Sequence, residues 1–467
     1  MSEHEPVDNV HTRTIARWVS GLTYDAIPAE VRTRIKLLVL DSLGCSLYGV
    51  NLPWSRILRD TLAEIDTTSE GPAVWGTKLR LSAPNAALIN GTQVHAFELD
   101  DVHRQGVLHV GAVTLPALYA VVERQQDFDG RELHAATVAG YEIGPRVGIC
   151  MGQEHIGQGW HSGATVGVFS AAAGAARGLR LSPEQAVHAL GIAGTQSAGL
   201  MAAQYGSMIK RVHTGRSSQS GLYGALLAQA GMTGIIDVFE APYGGFCTTF
   251  SRSTDRFKMA ELSAGLGTQW QTMGIALKLY SCVGSNHTTL DSIRAIQERR
   301  PFKIAELDKI VVHGSQVTVD HVGWPYRPEG LTSAQLNLPF CVATLLLEGD
   351  VFVDQFREED VANEKRIALS RIVQVVHEPA ITARGSKFRH MVRVDIHFKD
   401  GTVQTETREA PRGSEHSFAS EADIVAKFRK LARGVIPDKQ SDDLIDAVLG
   451  MEKLKSAGRV IELLRAA

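Results

Sequence analysis

The stretch Ala164-Thr-Val-Gly-Val-Phe-Ser-Ala-Ala-Ala-Gly-Ala-Ala-Arg-Gly-Leu179 decides how the first half of the chain is read. Alanine favours helix, whereas glycine weakens it unless neighbouring helices come close enough to use the missing side chain. The stretch therefore predicts a helix that packs very closely against its neighbours or lies central in a bundle. Around it, from Thr12 to about Gly231, apolar residues recur at three- and four-residue spacing, as in Val31 to Leu47 and Ala86 to Leu99. Ser182-Pro183-Glu184-Gln185 supplies an N-cap serine, a proline at the first helical position and a glutamine placed to close a capping box. The first half is expected to be all-α.

After Lys278 the pattern changes. Lys309 to His313, Ile372 to His377 and Met391 to Phe398 are rich in β-formers, and Val392, Val394, Ile396 and Phe398 alternate onto one face. Asp400-Gly401 predicts a hairpin turn into Thr402 to Thr407. Asp291 to Arg299 and Ser333 to Leu347 read as helices between the strands. From Ser420 to Leu464 the chain returns to helix, opening on a Ser420-to-Asp423 cap and including an amphipathic stretch, Ser441 to Met451. The expected fold is mainly α: a discontinuous all-α helical domain, residues 1–276 and 410–467, with a smaller α+β domain, residues 277–409, inserted in it.

A chain of 467 residues exceeds the size at which a single core stops growing, which agrees with two domains. Its formal net charge of -3, with Lys and Arg spread along the chain, gives no basic footprint for nucleic acid or a membrane surface, and neither partner is expected. Cys45, Cys150, Cys247, Cys282 and Cys341 are scattered and form no CxxC pair, which argues against a disulfide framework or a thiolate metal site. The polar start MSEHEPVDNVHTR lacks the features of a signal peptide, and a cytoplasmic location is expected.

Five clusters combine glycine with charged or imidazole side chains, or place polar groups at a helix start, as an anion-handling site requires. They are His95-Ala-Phe-Glu98-Leu-Asp100-Asp101-Val-His103 continuing to His109; Gly159-Trp160-His161-Ser162-Gly163; Tyr205-Gly206 through Lys210-Arg211-Val-His213 to Arg216; Lys278-Leu-Tyr280-Ser-Cys282 through Gly284 to His287; and Thr332 to Phe340. Taken singly, each has a simpler reading. Gly-Trp-His can be a helix start with a core tryptophan, the acidic trio a solvated helix end, and the basic group a surface face. His287 can be structural, and the last cluster a capped core helix. HExxH, a phosphate loop ending in Gly-Lys-Ser/Thr and a strand-bounded GxGxxG are all missing, so zinc protease, nucleotide hydrolase and dinucleotide oxidoreductase lack support. His95, His103 and His109 stand eight and six residues apart, which does not stack them on one helix face, and no metal is expected.

The order of these clusters resembles the motif series of the MmgE/PrpD family, which holds 2-methylcitrate dehydratases, cis-aconitate decarboxylases and an iminodisuccinate epimerase. The likeness runs from Leu40-Asp41-Ser-Leu-Gly44-Cys45 through the His95 block, Gly159-Trp-His161, Leu190-Gly-Ile-Ala-Gly194, Lys210-Arg-Val-His213 and Lys278-Leu-Tyr280 to Ala334-Gln335 and the late hairpin. The spellings Glu98-Leu-Asp-Asp101, Leu108-His109, Ala203-Gln204-Tyr205-Gly206 and Lys278-Leu-Tyr280 are nearest the fungal cis-aconitate decarboxylase branch. The resemblance implies a helical domain built from both chain ends with a smaller α+β lid, a homodimer, an active site in the cleft between the domains, and no metal or organic cofactor.

Carried over by position, the resemblance implies His109, His161, Lys210 and His287 as proton-transfer and charge groups. Glu98, Asp101, Arg211, Arg216 and Phe340 are expected to bind substrate. The sequence departs from the family at Glu98, where aspartate is common, at Val102, where threonine is common, and at Phe340, where tyrosine is common. The implied substrates are small di- or tricarboxylates. Dehydration removes a proton alpha to a carboxylate and protonates a leaving hydroxyl, whereas decarboxylation stabilises charge as carbon dioxide leaves and then delivers a proton to carbon. The expected activity is a cofactor-free lyase, cis-aconitate decarboxylase-like or 2-methylcitrate dehydratase-like. The alternatives are an epimerase of a dicarboxylate such as iminodisuccinate, which needs only alpha-proton removal and return, and a non-catalytic carboxylate-binding protein.

Overall fold

The computed structural model describes residues 10–466 apart from 67, 126, 153, 205 and 206, so most of the polar N-terminal stretch and the Tyr205-Gly206 pair lie outside the described residues. The chain is mainly helical and divides into two units: the first runs to Ala276 and resumes at Ser420, and the second spans Leu277–Ala419. No single described helix is long and apolar enough to cross a membrane.

In the first unit, the helices Gly130–Met151, Gly167–Gly178, Ile209–Gln229, Val110–Val122 and Ala83–Val94 pack against one another. Val110–Val122 is buried on every side, as a helix with no polar face must be. The Ala/Gly-rich stretch does lie centrally, but in two pieces, Ser162–Thr165 and Gly167–Gly178, separated by Val166. Its small residues let the backbones nearly touch: a Cβ on Gly221 would lie 2.4 Å from Ala171 Cβ and 2.6 Å from the Val168 carbonyl oxygen. Ser182 and Gln185 form the expected capping box.

The helical stretch read as Ala86 to Leu99 stops at Val94. His95 closes it, its N–H reaching back to the Gly91 carbonyl (3.3 Å), and the polar residues that follow form a turn. The C-terminal segment completes this unit. Helix Glu421–Ala432, opened by a Ser420–Asp423 capping box, packs on helix Ala29–Gly49, and the buried Lys427 ammonium donates to Asp41 (2.6 Å) and to the Leu99 carbonyl (2.9 Å). Two short strands, β1 (Val102–His103) and β2 (Ile275–Ala276), pair antiparallel.

The second unit holds a four-stranded sheet in the order β4 (Val373–His377), β3 (Leu307–Gly314), β5 (Val392–Phe398), β6 (Val403–Arg408). The β3–β4 pair is parallel and the others antiparallel, with Val312 opposite Val394. Val392, Val394, Ile396 and Phe398 are all buried, as the alternation required. Gly401, at φ +84, makes the turn between β5 and β6, and Asp400 accepts the Thr402 N–H at 2.9 Å. Helix Gly284–Arg299 packs on β5 and β6 and starts seven residues before the expected Asp291. Ser333 to Leu347 is not one helix but two, Leu331–Leu336 and Leu338–Glu348. Asn337 interrupts it because its side chain accepts the Phe340 N–H (2.9 Å), capping the second helix, with Pro339 placed where no N–H is needed.

Candidate active site

Three helix ends in the first unit bring the charged clusters together. His95 closes Ala83–Val94, His109 stands at the N-cap of Val110–Val122, and Lys210, Arg211 and His213 ride on the first turns of Ile209–Gln229. The Thr214 hydroxyl donates to the Gly91 carbonyl (3.1 Å), tying the third of these helices to the first one turn from His95. His161 is the N-cap of Ser162–Thr165 and lies 6.2 Å from His95, ring to ring.

Asp100 is the hub. One of its carboxylate oxygens lies 2.8 Å from His95 Nδ1 and 3.1 Å from His109 Nδ1, and the two rings are 4.5 Å apart. An ionised carboxylate only accepts, so His95 carries its hydrogen on Nδ1 and leaves Nε2 as the basic nitrogen. Burial pushes the Asp100 carboxyl up, but His109 and His95 more than offset this and hold it well below the usual range. Burial drives His95 down to about 3, Asp100 opposing, so this ring is neutral near pH 7. His95 Nε2 and Asp100 Oδ1 have no hydrogen-bond partner among the described residues. Among the described residues, His95, Asp100 and His109 offer ligand atoms within 4.8 Å of one another and are the set that could hold a cation. Both Nδ1 atoms face the same oxygen, however: His95 hydrogen-bonds it, whereas His109 Nδ1 lies in ion-pair range and makes no hydrogen bond among the described residues.

Glu98 lies 3.3 Å from Arg211 and 3.7 Å from Lys210, and Arg211 also donates to the His95 carbonyl (3.4 Å). This part of the site is cationic with one internal carboxylate. His161 and His213 face each other with Nδ1 atoms 3.2 Å apart. Burial first, then the cationic forms of His95, Lys210, His213 and His109, hold His161 well below an ordinary histidine.

Within the first unit, Asp101, Arg216, His103 and Trp160 take other partners. Asp101 points to the start of Val110–Val122, where both its oxygens accept the Gly111 N–H (3.1 and 3.2 Å). Burial and the neighbouring Asp100 push its carboxyl well up. It anchors a helix end rather than joining the imidazoles. Arg216 is exposed and donates to Gln219, which in turn donates to Asn85 (3.1 Å), on a side of the helix away from Arg211. His103 accepts the Gly106 N–H (3.0 Å) and meets Gln271 (3.1 Å), a loop-holding role. Trp160 is not in the core but packs edge-on to Phe250. In the second unit, buried His287 sits 3.0 Å from the Cys282 carbonyl and edge-on to Tyr280. Phe340 is fully enclosed there and stacks on Tyr326 at 4.1 Å.

His95, Asp100 and His213 lie within the quoted clusters but are not among the residues that the family resemblance implies for the site. The signal in the sequence is their spacing: an aspartate five residues after His95, and a histidine three residues, about one helical turn, after Lys210.

The MmgE/PrpD N-terminal domain matches residues 13–258 and the MmgE/PrpD C-terminal domain matches residues 280–452. The chain is 35% identical to the cis-aconitate decarboxylase-like protein oryM of Aspergillus oryzae, covering 99% of each chain. It is 33% identical to a cis-aconitate decarboxylase of Aspergillus terreus, over 97% of this chain and 95% of that one. With the human cis-aconitate decarboxylase it shares 24% identity, over 97% and 94%. Matched along both domains and over its whole length, the chain belongs to the MmgE/PrpD family.

Proposed function

We propose that the protein is a lyase of small polycarboxylates and that its reaction is the decarboxylation of cis-aconitate. Full-length likeness to fungal proteins of that name supports the class. The observation that carries the chemistry is the carboxylate of Asp100, hydrogen-bonded to His95 and 3.1 Å from His109, beside the cations Lys210 and Arg211.

In cis-aconitate one carboxylate sits on the saturated carbon next to the double bond. As its C–C bond breaks, carbon dioxide leaves and the electron pair spreads over the three-carbon allylic system to the carbon alpha to the far carboxylate. That carbon then takes a proton. Lys210 and Arg211 are suited to bind the remaining carboxylates by charge-assisted hydrogen bonds and to offset the charge that develops. His109, oriented by Asp100, and His161, oriented by His213, are the proton donors in this reading. Lys210 and His287 complete the proposed catalytic set, and a homodimer is the proposed assembly, tested by sedimentation equilibrium.

The functional test is incubation with cis-aconitate, 2-methylcitrate and citrate in separate samples, followed by proton NMR. Carbon dioxide release from cis-aconitate, with one solvent-derived hydrogen in the product, is expected. Turnover of 2-methylcitrate alone would replace decarboxylation with dehydration. Turnover of none of the three at high enzyme concentration would remove the proposal.

A further inference from the structure

The contact between His161 and His213 has a property that the proposed reaction can use. Their Nδ1 atoms are 3.2 Å apart with the rings tilted at 46°, so one nitrogen donates and the other accepts. Two hydrogens or two lone pairs facing each other would repel. We propose that His213 is a positioning residue for His161: the rings share one hydrogen across their Nδ1 atoms, and its location sets whether His161 Nε2 donates or accepts a proton.

The two arrangements differ in charge placement. When His213 is neutral with its hydrogen on Nε2, its Nδ1 accepts from His161 Nδ1–H, and His161 Nε2 is a bare acceptor. When His213 is protonated, both its nitrogens carry hydrogen. His161 Nδ1 then has to accept, and the hydrogen of His161 moves to Nε2, where it can be given away. His161 becomes an acid while staying neutral, and the positive charge rests on His213. That division suits the burial: His161 is 9% exposed, whereas His213 is partly open to solvent.

The proton count closes. His161 Nε2–H goes to the substrate carbon, the hydrogen on His213 Nδ1 crosses to His161 Nδ1, and His213 is left neutral with its hydrogen on Nε2. No imidazolate forms. A proton taken up at His161 Nε2 after product leaves, with return of the shared hydrogen to His213, restores the starting state. One proton is consumed per carbon dioxide released.

The groups facing this pair are His95 from the end of Ala83–Val94, His109 from the start of Val110–Val122, and Lys210 on the helix of His213; Asp100 and Glu98 stand behind them. Burial and then Lys210 lower the pKa of His213 below the ordinary 6.5. A histidine titrating there is charged on the acid side, so the donor form of His161 is lost as pH rises through it.

The assignment of a role in turnover rests on the reading of the protein as a decarboxylase, but the sharing of hydrogen does not, and the experiment separates them. Histidine-labelled protein without substrate is followed by two-bond 1H–15N correlation spectra over pH, with His161 signals assigned by their loss in His161→Gln. The expected result is that His161 exchanges its hydrogen from Nδ1 to Nε2 as His213 titrates. In His213→Asn, whose amide keeps a polar contact but does not titrate, the His161 pattern should become independent of pH. A His161 tautomer that stays fixed through the His213 titration in the unaltered protein would overturn the proposal.

In turnover of cis-aconitate, His213→Phe should lower kcat by about tenfold or more with little change in KM, and His213→Asn should flatten the limb of the pH profile. An unchanged kcat and profile in both variants would also overturn it. Failure of the unaltered protein to turn over cis-aconitate would instead count against the proposed function, and the spectra would still decide the hydrogen sharing.

Discussion

Asp100 and His95 are both fully enclosed, and the carboxylate lies 2.8 Å from the ring Nδ1. This contact decides which nitrogen of His95 is basic. Asn at position 100 presents an amide that can offer a donor to the same nitrogen, favouring the opposite tautomer of His95, and it removes the negative charge beside His109. Asp100→Asn should therefore lower kcat by about 10²- to 10⁴-fold, the usual range for lost general acid–base catalysis, with KM little changed. Steady-state kinetics on cis-aconitate checks this; a raised KM with unchanged kcat would make Asp100 a substrate-binding group instead.

The ammonium of Lys427 holds Asp41 and the Leu99 carbonyl without access to water. Removing one member of such a pair leaves a buried charge unmet. Lys427→Met should cost about 3–5 kcal/mol, and pairing it with Asp41→Leu should recover much of the loss. Urea unfolding of the two single variants and the double variant measures both. Because Lys427 also grips the turn that carries Glu98 and Asp100, the single variant should lose activity even where it remains folded.

Lys210 and Arg216 separate substrate binding from surface charge. Lys210→Met removes a cation beside the imidazoles, and a charge-assisted hydrogen bond is worth about 1.5–3 kcal/mol, roughly a 10- to 150-fold loss in kcat/KM. Arg216→Met should change kcat/KM by less than about twofold, since Arg216 is exposed and engages Gln219. Equal losses in the two variants would put Arg216 back among the substrate-binding groups.

Acid should destabilise the fold through its buried histidines. Burial lowers His95 to about 3, and His134 and His155 to about 4, from an ordinary 6.5. Between those values the unfolded chain binds more protons than the folded one, so stability rises with pH over this window and is lost as pH falls below 6.5. Asp101, pushed up by burial, acts the other way over its own window. His161 and His213 are lowered as well, while Glu123 and Glu142, like Asp101, are pushed up by burial and act the other way. The five histidines outnumber the three carboxyls, and Tm should fall between pH 7 and pH 5. His134 contacts the Arg32 carbonyl at 3.1 Å, and His134→Asn should make that fall shallower.

Helices and strands were legible in the sequence wherever a long apolar period met one core, as in Val31 to Leu47 and Val392 to Phe398. Interruptions of a single residue were not. Asn337 breaks a helix through its extended backbone and cap, and Val166, whose backbone stays right-handed helical, marks only a change of hydrogen-bond pattern; both leave the apolar period on either side intact. The site divided along the same line. Asp100 and Asp101 are neighbours in a turn, where no period dictates direction, yet one meets the imidazoles and the other meets Gly111. Arg211 and Arg216 sit on a regular helix, where five residues carry a side chain about 140° round the axis. Their separation was therefore readable from spacing alone.

The ion pair of Lys427 also sets an order in time. Asp41 and Lys427 are 386 residues apart in sequence. At about 5–20 residues per second, a ribosome takes roughly 20–80 s to make the chain between them. During that interval Asp41 and the Leu99 carbonyl have been made without their cation, while all four strands of the second unit have already left the peptidyl transferase centre. The turn bearing the imidazole-binding aspartate is thus synthesised early and secured late, after the whole sheet of the second unit has been made.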